Sequence, residues 1–300
     1  MKRSHFYYLT LNFLCCYIIW GQEENHLFLF EAQYQWINPS KIGLTKETFL
    51  GLLIDSQWLG IKDAPKQQSV FVDAYSNTQK LNLGGVIRNR SRFGEQNIQL
   101  LLQSSYPIQI NSESHLQFGL QVLGDYYSTE YNYLRSVDGI QNDPLLNQQR
   151  RLIPNLGVGF IWVKKHFWLQ GAIPRVLDQY FTKSSPTFYI RDQLHFFSGV
   201  GTRLSQQTKY VISISAYVHN LAYDRVTVQV KGTLGLRIGE VLLGVNSSKN
   251  MGLGFQFNPQ NFLNVGYFFQ FPFRSSSALN KTNHSLSLRF NLTPKKEKIQ

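Results

Sequence analysis

The stretch Ser285-Leu286-Ser287-Leu288-Arg289-Phe290-Asn291-Leu292 alternates polar and apolar residues without a break. Successive side chains on an extended strand point to opposite faces, so period two marks a half-apolar β-strand. A helix would instead repeat its apolar residues at three and four. The same alternation runs through Met251-Gly252-Leu253-Gly254-Phe255-Gln256-Phe257. It recurs in Ile212, Ile214, Ala216 and Val218, and in Leu116, Phe118, Leu120 and Val122.

Read along the whole chain, the pattern predicts 14 strands, near 48–55, 67–75, 80–88, 96–105, 114–127, 155–163, 166–173, 193–203, 209–219, 226–236, 239–247, 250–258, 261–271 and 284–292. That leaves about 20 residues for each strand with its connection, the spacing of a transmembrane β-barrel. No longer segment holds a helical period. Two connections are long and patternless, 128–154 and 174–192, and contain the turn signals Asp138-Gly139, Asp143-Pro144 and Ser185-Pro186. No linker or composition shift divides the chain, so a single all-β domain is expected.

A soluble β-protein and an outer-membrane barrel share this alternation and differ in which face is apolar. A sandwich turns its apolar face inward. A membrane barrel turns it to lipid and fills its lumen with Gln, Ser, Gly, Asn and Arg. The even strand count favours a single antiparallel barrel of about 14 strands. So do the aromatics near strand ends, such as Trp162, Phe167, Trp168, Tyr267, Phe268 and Phe271, which suit interfacial girdles. The residues alone leave the soluble alternative open.

The first residues read as a secretory signal. Lys2 and Arg3 precede the apolar stretch Leu9 to Trp20, and cleavage near Gly21/Gln22 is expected. Residues 1–21 are then signal, 22–292 an outer-membrane barrel domain and 293–300 a basic tail carrying Lys295, Lys296 and Lys298. Cys15 and Cys16, the only cysteines, leave with the signal, so the mature chain has no disulfide framework or thiolate chemistry. Losing Lys2 and Arg3 lowers the net charge from +12 to +10. The basic residues are scattered and accompany no nucleic-acid motif, so no nucleic-acid partner is expected.

Motifs of catalysis are missing. The seven histidines include no H-E-x-x-H spacing, and there is no nucleophile elbow, P-loop or dinucleotide-binding glycine motif. Gly157 and Gly159, like Gly252 and Gly254, alternate within strands and read as lumen-facing gaps or sites of close packing. The carboxylates are dispersed. No catalytic, metal or cofactor site is expected, and the chain reads as non-enzymatic.

Several segments, in order along the chain, resemble the PorP/SprF family of type IX secretion system membrane proteins. Trp36-Ile37-Asn38-Pro39-Ser40-Lys41-Ile42-Gly43 resembles that family's N-P-A-x-x-G segment, with Ser40 in place of the usual alanine. Gln57-Trp58-Leu59-Gly60-Ile61-Lys62-Asp63-Ala64-Pro65 resembles its Q-W-x-G-x-x-x-A-P signature, the most specific piece. Pro154-Asn155-Leu156-Gly157-Val158-Gly159 resembles P-N-x-G-x-G, and Gly171, Pro174 and Leu177 fit the following G-x-x-x-P-x-x-L. His195 to Gly201 resembles its H-Y-x-x-x-G segment, and Asn283-His284-Ser285-Leu286 sits where the family starts its last strand. The C-terminal half departs further. Lys209-Tyr210-Val211-Ile212 stands where a K-P-S-like stretch is expected, and Ser285 where an acidic residue would follow the histidine.

The resemblance implies an outer-membrane barrel that serves protein secretion and gliding, or holds secreted cargo at the surface. Its partners would be outer-membrane lipid, other type IX components and cargo protein. Asn38, Pro39, Gln57, Trp58, Gly60, Pro65, Pro154 and Asn155 are the motif residues with a possible role in partner contact. Trp58 is expected at a membrane interface, with Gly60 and Pro65 shaping a turn. The connection 128–154, with Tyr131, Tyr133, Arg135, Arg150 and Arg151, is expected to be an extracellular or partner-facing loop, the alternative being a loop folded into the lumen as a plug. Two other functions fit the residues: a pore or small-ligand transporter of the same architecture, and a soluble secreted β-protein such as a glycan-binding module.

Overall fold

The computed structural model describes residues 35–129, 149–177, 194–206, 210–221, 225–236, 238–260, 262–273 and 282–293. They form β1 (Phe49–Gln57), β2 (Lys66–Ala74), β3 (Asn82–Arg92), β4 (Glu95–Asn111), β5 (Ser114–Thr129), β6 (Gln149–Lys164) and β7 (Phe167–Ile173). These are followed by β8 (Leu194–Gln206), β9 (Tyr210–Leu221), β10 (Arg225–Leu236), β11 (Gly239–Asn246), β12 (Asn250–Gln260), β13 (Leu263–Pro272) and β14 (Asn283–Asn291). Each strand pairs antiparallel with its sequence neighbours, and β1 pairs with β14, so the sheet closes into a barrel. The closing ladder sets Leu52 opposite Leu288 and Ile54 opposite Leu286.

All 14 expected strands are present. Two are much longer than alternation alone indicated, β4 at 17 residues and β6 at 16. β4 runs on to Asn111, and β6 begins at Gln149 and carries Pro154 opposite Gly124. Alternation fades where both faces of a strand meet water, as they do over Gln109–Asn111, and a strand can continue there without an apolar stripe.

The faces are those of a membrane barrel. On β4, Leu102 is 62% exposed and its neighbour Gln103 only 4%. On β5, Leu120 is 62% exposed and Gln121 2%. Leu50, Ile54, Leu100, Val122 and Leu286 point outward, while Gln99, Gln117, Gln170, Gln229, Gln270, Ser285 and Ser287 are buried inside. A soluble sandwich would show the reverse, so the soluble alternative fails on this point. Closure also pairs every ladder, which hydrocarbon demands because it offers an exposed backbone edge no partner.

The two rims differ. At one end the connections 75–81, 112–113, 165–166, 207–209, 237–238 and 261–262 are short. The chain also enters β1 and leaves β14 at this end, where Leu292 N donates to Thr48 O at 2.8 Å. The opposite rim carries 58–65, 130–148, 174–193 and 273–282. It also carries the tight turn Phe93-Gly94, both at positive φ, as a two-residue hairpin of this type requires. Of the long connection expected over 128–154, residues 149–154 are strand, with Arg150 and Arg151 in β6, and residues 130–148 lie outside the described part. The signal 1–21 and the three tail lysines lie outside it as well.

The lumen departs from expectation in one respect. Besides glutamine and serine, Phe49, Leu53, Phe71, Val86, Leu101, Leu123, Phe197 and Tyr217 face inward and form one apolar cluster. The reason is that the segment ahead of β1 folds into the barrel and brings Trp36 and Ile37 against them.

A plugged lumen and its long-loop rim as the candidate functional site

Residues 35–48 plug the barrel. Asn38, Ser40 and Ile42 have no exposed surface, and Ile37 and Trp36 are buried. Pro39–Lys41 form one turn of 3₁₀ helix, for which Pro39 supplies a preset φ. Asn38 caps it, its Oδ1 accepting from Ser40 N at 3.1 Å and Ser40 Oγ at 2.7 Å. The serine at this position therefore brings a hydroxyl that finds a partner at once. Asn38 Nδ2 reaches the wall, donating to Gln170 Oε1 at 3.2 Å and Phe160 O at 3.4 Å.

The rest of the plug is held by backbone groups meeting wall side chains. Ile42 O accepts from Ser105 Oγ and Gln117 Nε2, both at 2.6 Å. Gly43 N donates to Asp73 Oδ1 at 2.8 Å, and Gln35 O accepts from Gln103 Nε2. Glu47 accepts from Arg289 Nη2 at 2.5 Å, and that guanidinium lies 3.7 Å over the Phe49 ring. Each such bond adds about 1 kcal/mol net, and a buried Ile about 1.5–3 kcal/mol. Together they hold the segment against its conformational entropy.

Glycine makes room for it. A Cβ at Gly119 would collide with the backbone of Pro39 and Ser40, and one at Gly159 with the Asn38 carboxamide. A Cβ at Gly157 would meet Pro174 O. These alternating lumen-facing glycines are close-packing sites, as their strand pattern indicated.

A second segment also turns inward. After β7, Pro174 and Arg175 are buried. Pro174 O accepts from Gln121 Nε2 at 2.8 Å, and Arg175 pairs with the buried Asp125. Asn155 Oδ1 accepts from Leu177 N at 2.9 Å and Leu156 N at 2.8 Å. Four of the motif residues thus work inside the molecule or in its wall. Asn38 and Pro39 cap the plug, Asn155 pins the 174–177 turn, and Pro154 occupies the β6 wall.

The other four build the long-loop rim. Gln57 N donates to Pro65 O at 3.0 Å and closes the 58–65 connection. Trp58 has φ 51° and Gly60 φ 91°, so the chain reverses here through left-handed residues. Trp58 N donates to Thr282 O at 2.9 Å, its ring lies 5.8 Å from that of Phe93, and Phe93 N donates to Asp63 O at 2.9 Å. The block therefore ties the β1–β2, β3–β4 and β13–β14 connections into one surface, with Leu59 and Gly60 exposed at its tip.

Sequence reading missed the plug. Its signal was an apolar Trp36-Ile37 pair ahead of the first strand, with unfilled glycine positions on lumen faces later in the chain. The plug sits against β4, β5 and β6. A cavity remains on its other side, lined by Lys41, Phe49, Phe71, Gln256, Phe268 and Arg289. Among the described residues no three His, Cys, Asp or Glu gather as a metal site.

A closed antiparallel barrel with an apolar outer belt and a plugged polar lumen defines an outer-membrane-type β-barrel protein. Residues 21–290 match the family model described as type IX secretion system membrane protein PorP/SprF. The chain belongs to that family. Family and fold both point to the outer membrane. Among curated proteins none matches significantly. Similar solved structures include a Pseudomonas aeruginosa FadL homologue, at 11% identity and TM-score 0.46 over 85% of this chain and 93% of that one. CdiB from Acinetobacter baumannii is similar at 8% identity and TM-score 0.45 over 82% and 60%. A Rhodopseudomonas blastica porin triple mutant is similar at 11% and 0.36 over 82% and 98%. The family assignment rests on the sequence match and not on these distant folds.

Proposed function

We propose that this protein is a non-enzymatic outer-membrane component of the type IX secretion and gliding machinery. Its long-loop rim docks a secreted cargo protein or holds it at the cell surface. The observation that carries this reading is the plug. With residues 35–48 bonded into the lumen, the barrel is a scaffold whose partners meet its rims. Long loops in such barrels face outward and short turns face the periplasm, which sets the Gln57–Pro65 block on the outside. Three connections joined through Trp58 give that surface a fixed shape, as a docking site needs.

The test is surface display. Substituting the rim tip, Leu59→Asp with Lys62→Glu, is expected to leave a heat-modifiable, membrane-inserted barrel and to reduce cell-surface cargo several-fold. Unchanged cargo with normal barrel levels would end the docking reading. A pore or small-ligand transporter is the second reading, favoured by the cavity beside the plug. It requires steady single-channel conductance from the unaltered protein in planar bilayers, which the docking reading does not.

A further inference from the structure

Above the plug, on the long-loop side, the lumen wall carries a ladder of arginines. β3 alternates, so Arg88, Arg90 and Arg92 share the inward face that also holds Val86 and Asn82. Alternate residues on a strand lie roughly 6.6 Å apart. Arg88 forms the floor, its guanidinium 5.2 Å from the Trp36 ring of the plug and bonded to Gln99. Arg90 is within electrostatic reach of the Asp55 carboxylate, and Arg92 pairs with Glu95 at 3.0 Å. The Arg175–Asp125 pair stands nearby, within electrostatic reach of Arg88.

Two features of this wall are unusual for a self-contained interior. Buried polar groups are nearly always bonded, yet Arg88 Nε is buried with no bonding partner. Asn97 sits directly opposite Arg90 in the β3–β4 ladder, and both Nδ2 and Oδ1 of its carboxamide are buried and unpartnered. A carboxamide with donor and acceptor both free is the complement of one peptide group. Guanidiniums at alternate strand positions complement carboxylates at alternate positions of an extended chain.

We propose that Arg88, Arg90, Arg92 and Asn97 form a binding site for an extended acidic peptide segment that enters the lumen from the long-loop rim. This rests on the docking reading and names the chemistry of the partner: carboxylates at every second residue, with one backbone amide seated on Asn97. The barrel wall separates the site from lipid, so a membrane headgroup does not supply the anion. A free phosphate would use the arginines without needing Asn97.

The probe is the peptide Glu-Ser-Glu-Ser-Glu, titrated calorimetrically into the purified full-length protein in detergent. Lys-Ser-Lys-Ser-Lys and inorganic phosphate are the comparisons. Saturable binding of the acidic peptide alone is expected, weakening as salt rises and falling about tenfold in both Arg90→Gln and Asn97→Ala. Heat-modifiable migration checks that each variant is folded. If Arg90→Gln fails to insert, Asn97→Ala and the salt series carry the test. Phosphate displacing the peptide at equal concentration, with Asn97→Ala neutral, would overturn the peptide assignment. So would no binding, or equal binding of the lysine peptide.

The two readings fail differently. If the peptide binds as proposed but cargo display survives the rim-tip change Leu59→Asp with Lys62→Glu, the docking reading falls and the site stands. If the peptide does not bind while the rim-tip variant still reduces display, the site falls and the docking reading stands.

Discussion

Asn38 Nδ2 donates to Gln170 Oε1 at 3.2 Å, joining a residue ahead of the first strand to the β7 wall 132 positions later. Around this bond the plug and the barrel become one body. Asn38 also caps its own turn, so one side chain sets both the shape of the plug and its place.

Asn38→Ala should therefore act twice. It removes the cap on Ser40 and strands the buried Gln170 amide, and a cost of about 1–3 kcal/mol is expected. Denaturant melting in micelles measures it. Intermittent conductance in planar bilayers is the second expected outcome, absent from the unaltered protein.

Gly119→Val tests the plug without removing any of its hydrogen-bonding groups. The Cβ would collide with Ser40 N and Pro39 C, and overpacking of this kind costs about 1–3 kcal/mol. The barrel should still insert, with protease cleaving the 35–48 segment faster than in the unaltered protein. Equal protection would contradict the packing described here.

The lipid-facing register predicts an asymmetry between neighbours. Leu286 is 43% exposed on the outer face and Ser287 is 7% exposed inside. Leu286→Arg should cost about 2–4 kcal/mol if it lies near the midplane, and Ser287→Asn much less. Folding equilibria in lipid vesicles give both numbers, and equal tolerance would sink the register.

At the short-turn rim, Arg289 and Glu47 pair at 2.5 Å with both side chains largely covered. Arg289→Met leaves the Glu47 carboxylate without this partner, and a loss of about 1.5–3 kcal/mol is expected. Because the pair is shielded, added salt should change that loss little. Melting at low and high salt decides the point.

The strands were legible because hydrocarbon outside and glutamine inside write a period-two pattern directly into residues such as Leu116 to Gln121. The rim was partly legible: Gly60 and Pro65 carry turn chemistry that needs no tertiary contact. The plug was not. Asn38 and Gln170, or Gly159 and the Asn38 carboxamide, meet only after the sheet has closed, and neither residue type announces a distant partner. The arginine ladder was hidden for a different reason. Arg88, Arg90 and Arg92 read as ordinary polar positions of a strand until the direction of its faces is known.

The plug precedes β1 in the chain, but β4, β5 and β6, which grip it, come later, and β14 shuts the ring last. The segment is joined covalently to β1, so it stays beside the ring however late those strands arrive. Contacts spanning so much sequence are slow to form. A chain without residues 35–48 would leave Gln103, Ser105 and Gln117 short of the backbone carbonyls they now meet.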